Sequence, residues 1–295
     1  MAGRFGAVLT AMVTPFDADG ALDLDAAAKL ARWLEANGND GLVVAGTTGE
    51  APTLTDEEQL DLLAAVSEAV TIPVVGGTGS NDTHHGIEMT AKASGTGIAG
   101  CLVVTPYYNR PSQAGLEAHF RAVAAATALP VILYDIPIRT GRKAATDTLL
   151  RLARDVPNIV GVKDAAGNPA ETASLIARAP GGFEVYSGDD PFTLPLLAVG
   201  AVGVIGVATH WSGVEHSEMV SAFEKGDVVA AREANARLLE SFAFETSDDT
   251  PNPIPAKAMM RVIGHAVGQC RPPLGPAPAG TEERARQVLD NLRRV

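Results

Sequence analysis

In the stretch PNIVGVKDAAGN, residues 157–168, a run of apolar, β-branched residues ends in Lys163. Strands of that composition are built for burial, and an ammonium group is costly to bury. Six lysines occur in the chain. Lys29, Lys92, Lys225 and Lys257 fall in or at the ends of helix-like stretches, where exposure is expected, and Lys143 falls in a loop after Arg139. Only Lys163 terminates an apolar run. Alternation puts it on the same face as Ile159 and Gly161, opposite Val160 and Val162, with Gly161 leaving room for its stem. Such a lysine could snorkel to a rim or pair with Asp164. It could also be a nucleophile. A free lysine has a pKa near 10.4, so roughly one in 2,500 is unprotonated at pH 7. Apolar surroundings disfavour the cation and lower that value by several units. The desolvated amine then adds to a carbonyl and forms a Schiff base.

Schiff-base chemistry moves protons and needs a shuttle. Tyr134, at the end of the preceding apolar run, is the candidate, although a tyrosine there could equally be a core aromatic. All four tyrosines, Tyr107, Tyr108, Tyr134 and Tyr186, fall at the ends of such runs, which suggests a phenol-rich pocket. Thr47 and Thr48, in GTTGE, offer hydroxyl and backbone N–H groups suited to a small carboxylate. An ordinary turn would look the same. Arg139 could grip a second carboxylate in a bidentate pair, or serve a surface ion pair. No spacing of His, Cys, Asp and Glu suggests a metal site. Asp189 and Asp190 make the rim where many barrels bind phosphate acidic, which disfavours a phosphorylated substrate.

Eight short apolar runs must position these residues: Val8–Val13, Gly41–Ala45, Ile72–Val75, Cys101–Val104, Val131–Tyr134, Ile159–Val162, Phe183–Tyr186 and Gly203–Val207. Amphipathic stretches such as Leu24–Asn37, Asp56–Val70, Gln113–Thr127 and Pro169–Ala179 lie between them. TDEE (residues 55–58) reads as a capping box, and Ser80 or Asn81 as a cap for the helix through Ala93. Strand alternating with helix means parallel strands joined by crossovers. Eight units in about 220 residues predict an α/β fold, a (β/α)8 TIM barrel, with an open doubly wound sheet as the alternative. Past Val207 the strand signals stop. Helices are predicted over Ser217–Lys225, Val228–Phe244, Pro255–Gly264 and Thr281–Arg294. Residues 1–225 are therefore read as the barrel domain and 226–295 as a C-terminal helical domain.

The 295 residues are 46% hydrophobic and carry a formal net charge of −12. That acidity argues against nucleic-acid or anionic-membrane partners. Cys101 and Cys270 form no ligand pattern and point to a reducing compartment. The uncharged segment at residues 191–214 is long enough to span a bilayer, but its prolines and glycines make it a short helix, a turn and a buried strand.

The ordered motifs GTTGE (46–50), TPYYNRP (105–111), LYDIPIRTG (133–141), GVKDAAGN (161–168) and YSGDD (186–190) resemble those of the dihydrodipicolinate synthase family, within the N-acetylneuraminate lyase superfamily of class I pyruvate aldolases. The resemblance runs from about Gly6 past Val207. It implies a cytoplasmic homotetramer, a dimer of dimers, that condenses pyruvate with L-aspartate 4-semialdehyde in the diaminopimelate branch of lysine synthesis. It implies no cofactor beyond the covalent Schiff base on Lys163. Tyr134 would be the general acid/base, in a relay with Thr48 and with Tyr108 supplied by a neighbouring subunit. Thr47, Thr48 and the backbone around Ile205 would hold pyruvate; Arg139 and Gly188 would receive the aldehyde. A sister sugar-acid aldolase or a non-catalytic keto-acid-binding barrel are the alternatives. Asp135 stands where many members have Asn. Lysine-sensitive members bind the inhibitor through positions that here hold Ala51, Pro52, Asp56, Gln59 and His85, beside the retained Asn81 and Tyr107. Without an acid at His85, weak or absent feedback by lysine is expected.

Overall fold

The computed structural model describes residues 3–294. Eight parallel strands close into a barrel in sequence order: β1 (Val8–Ala11), β2 (Gly41–Val44), β3 (Val74–Gly77), β4 (Gly100–Val104), β5 (Val131–Asp135), β6 (Ile159–Asp164), β7 (Glu184–Ser187) and β8 (Gly203–Gly206). Both strand faces are apolar because both are covered. In β2, Leu42 and Val44 join the layer between sheet and helices, while Val43 points into the barrel with Leu9, Val75, Leu102, Ile132 and Ile205. The helices pack outside. Thr55 and Glu58 form the expected capping box. The helix Thr83–Ala93 is capped by Asp82, one residue past the expected Asn81, because its carboxylate reaches His84 N–H.

Alternation fails at one place in β6. Ile159 pairs with Val131 and Gly161 with Ile132, so one step on β5 spans two on β6. This bulge turns Ile159 outward with Val162, and Val160 packs against the barrel interior. Lys163 thus does not share a face with Ile159. Gly161 also has a different role from making room for the lysine: a Cβ there would strike the Glu184 carbonyl of β7, so its absence lets the two strands close up.

Past β8 come the helices Thr209–Glu224, Val228–Phe244, Ile254–Ile263 and Thr281–Arg294. Among the described residues, no helix is long and apolar enough to cross a membrane. The helix Ile254–Ile263 overturns one expectation. Lys257 is wholly buried, its Nζ 2.6 Å from Glu50 Oε1, donating to the Gln269 carbonyl and 4.1 Å from the Phe16 ring centroid. Glu50 lies in the turn after β2 with φ of +55°, and its second oxygen accepts Arg271 N–H at 2.8 Å. Helical periodicity marks a lysine's face, not the acid that a distant segment brings against it.

Removing one member of a buried ion pair strands the other charge and typically costs about 3–5 kcal/mol. Lys257→Met is therefore expected to lower the chemical-denaturation midpoint by a corresponding amount. An unchanged midpoint would mean that the pair does not hold the tail to the barrel.

Candidate active site

Lys163 and Tyr134 are register partners on neighbouring strands, both facing the barrel interior near its C-terminal mouth and both 5% exposed. The Lys163 Nζ lies 4.6 Å from the Tyr134 ring centroid. Burial pushes the Lys163 ammonium down to about 8, against the pull of nearby acids, Asp190 foremost, while the Arg139 guanidinium pushes the same way as burial. At pH 7 such an amine is free in roughly one molecule in ten. Gly188 makes space for its stem: a Cβ there would lie 2.9 Å from Lys163 Cγ and 3.1 Å from Cε.

Burial pushes the Tyr134 phenol up to about 12, moderated by Arg139 and by a hydrogen bond with the Thr47 hydroxyl. It is a neutral phenol at physiological pH, able to give a proton and take it back. Its hydroxyl partner is thus Thr47, whereas the resemblance put Thr48 in the relay. Neighbouring residues of the tight turn point different ways, and the Thr48 hydroxyl instead accepts the Asn252 amide N–H at 2.9 Å, away from Tyr134. Ile205, fully buried, lines the interior beside Leu9. Arg139 is exposed in the short helix Pro137–Thr140, close enough to act on both Lys163 and Tyr134.

Two tyrosines do not join this group. Tyr186 points toward the opposite end of the barrel, where its hydroxyl accepts the Phe5 N–H and donates to Glu184. A strand-end position does not say which way a long side chain leans. Tyr108 is 90% exposed, on a backbone with φ of +72°. Non-glycine residues rarely adopt that conformation. Here it aims a large aromatic away from the rest of the chain.

Asp190 occupies the place where other barrels seat a phosphate. Its carboxylate accepts Val207 N–H at 2.8 Å and Ala208 N–H at 3.0 Å, at the start of the helix after β8. Asp135 also finds a reason. It accepts Ala144 N–H at 3.0 Å and pairs with Lys143 at 3.3 Å, and Lys143 bridges on to Glu171. A groove of about 770 Å³ lies on the flank. Its Lys143 and Arg178 are already paired with Glu171 and Asp147, so we place the chemistry at the enclosed lysine. His85 pairs with Asp56 at 2.9 Å. Glu245 and Asn252, both from beyond the barrel, escaped the sequence reading. Helical periodicity carries no signal for either; the only hint was a polar stretch between Phe244 and the PNPIP run.

The sequence profile of the dihydrodipicolinate synthetase family matches residues 4–292. The chain is 52% identical to 4-hydroxy-tetrahydrodipicolinate synthase of Acidothermus cellulolyticus, over 97% of this chain and 92% of that one. It is 48% identical to the enzyme of that name from Thermosynechococcus vestitus, over 98% and 97%. Among solved structures, dihydrodipicolinate synthase of Cyanidioschyzon merolae with lysine bound superposes with a TM-score of 0.96 at 42% identity, covering 99% of this chain and 100% of that one.

Proposed function

The chain belongs to the dihydrodipicolinate synthetase family, and we propose that it performs the family's reaction through the Lys163 amine. It is a class I lyase of lysine biosynthesis: it condenses pyruvate with L-aspartate 4-semialdehyde to give 4-hydroxy-tetrahydrodipicolinate. The observation that carries the assignment of Lys163 is its enclosure beside Tyr134.

The free amine adds to C2 of pyruvate, and the carbinolamine loses water to form an imine. Loss of a methyl proton gives an enamine, whose carbon attacks the aldehyde. The amino group of the second substrate then adds to the imine carbon, closes the ring and releases Lys163. No cofactor is needed, because the imine itself accepts the electron pair. Tyr134 gives and takes the protons, and Thr47 passes them on from its hydroxyl toward Tyr108 of a neighbouring subunit. The turn Thr47–Thr48 and the β8 backbone at Ile205 seat the pyruvate carboxylate. Arg139 and the backbone at Gly188 receive the aldehyde's polar end. The exposure of Tyr108 supports a dimer as the smallest complete unit, and we take the assembly to be a cytoplasmic homotetramer, each subunit a barrel (residues 1–225) with a helical domain (226–295).

Initial rates with pyruvate and a panel of aldehydes test this reading. Aspartate 4-semialdehyde should be preferred, and Lys163→Met should lose ~10³-fold or more in kcat while staying folded. Preference for a sugar aldehyde, or activity retained in Lys163→Met, would refute it. Lysine should inhibit weakly, because His85 and Asp56 leave no free acid facing the inhibitor's ammonium at that position. Half-inhibition at sub-millimolar lysine would contradict this.

A further inference from the structure

Two buried carboxyl groups lie behind Lys163, and no step above uses them. Asp190, 1% exposed, begins the turn after β7; Glu245, 5% exposed, follows the helix Val228–Phe244 of the appended segment. The two side chains crowd one donor: the Ala208 N–H points at Asp190 Oδ1, 3.0 Å away, and at Glu245 Oε2, 3.3 Å away. Two carboxyls this close and out of water are stable only with a proton between them. Backbone donors decide where the charge rests. Asp190 takes the close N–H bonds from Val207 and Ala208, and His216 Nε2 stands 3.4 Å from its Oδ1. Glu245 takes a longer one from Ala208, 3.3 Å. The charge therefore sits on Asp190 and the proton on Glu245, whose carboxyl is pushed well up by burial and by Asp190 and Asp189.

The pair presses on the site. A Cβ on Gly206, next to Ile205, would lie 2.6 Å from Asp190 Oδ1. Asp190 and Asp189 favour the ammonium form of Lys163, and Glu245 would join them if it ionised. Arg139 opposes them from the mouth; His210, from the helix after β8, faces Asp190, with His265 beyond it.

We propose that Glu245 is a positioning residue for the Lys163 amine: it stays protonated, donates to Asp190, and so confines the charge behind the amine to one hydrogen-bonded carboxylate. Ionised, it would add a second negative charge, favour the ammonium and slow imine formation. No bond is made or broken in this role. The proposal rests on Lys163 being the imine-forming residue. It gives the helical tail a part in the chemistry of a barrel it does not help to build.

The test compares Glu245→Leu, which removes the donor, with Glu245→Gln, which keeps an N–H donor but cannot ionise. The readout is the acid limb of kcat/KM for pyruvate. In Glu245→Leu the limb should move to higher pH by on the order of half a unit, about a threefold loss at pH 7 that disappears in alkaline buffer. Glu245→Gln should return it to the wild-type position. Infrared difference spectra at neutral pH should show a protonated-carboxyl stretch in the wild type that Glu245→Gln lacks. A limb displaced to lower pH in Glu245→Gln, or no such band, means that Glu245 is ionised and overturns the proposal. An unmoved limb in folded Glu245→Leu does the same, since a purely structural role would leave it there. If Glu245→Leu fails to fold, the Glu245→Gln limb and the infrared band decide. Failure of the imine reading would show separately, as no borohydride-trapped pyruvate on Lys163 of the wild type.

Discussion

Everything at the mouth of this barrel follows from keeping water away from one amine. Asp190 and Asp189 act to hold Lys163 as an ammonium, and the amine still sits at about 8 because burial outweighs them. Charges attract strongly in a dry interior, so this balance depends on those acids being occupied. Asp190 is tied to two backbone N–H groups, one of which it shares with Glu245. Burial raises Asp189 itself, which weakens its pull at the acid end of the pH range. The same dryness keeps Tyr134 a phenol rather than a phenolate, so one environment yields a free base and a retained acid side by side. Pairs of groups whose environments set their pKa values for opposite tasks are what acid–base catalysis requires.

The helical tail reinforces that arrangement from outside. Asn252 fixes Thr48, and Lys257 and Arg271 meet on Glu50. The Arg271 guanidinium also forks onto Glu58 at 2.6 and 2.8 Å and lies 4.2 Å from the Phe16 ring centroid. The turn after β2 is thus clamped between barrel and tail, with non-glycine residues Ala45 and Glu50 held at positive φ. Such conformations persist where the surroundings over-determine them. The clamp leaves Thr47, between two restrained neighbours, aimed at Tyr134.

The barrel was legible because its strands are apolar on both faces and its helices carry a strong period; those patterns survive without tertiary knowledge. Lys163 was legible for the converse reason, as a charge where the pattern forbids one. What escaped depends on contacts between distant segments. Lys257 looks like any helix lysine until Glu50 is placed against it. Asp135 looks anomalous until Lys143 folds back. The β6 bulge is a property of pairing with β5, so Ile159 could not be put on its true face from its own strand. Thr47 and Thr48 are chemically alike, and only the turn separates the one facing Tyr134 from the one facing Asn252.

The most direct measurement is the pH dependence of pyruvate trapping on the intact protein. Borohydride reduction followed by digestion should place the added mass on the peptide containing Lys163, with trapping half-maximal near pH 8, where burial sets the amine. An unmodified peptide, or a midpoint above about 10 as for a solvated lysine, would contradict the claim that the barrel frees this amine by drying it.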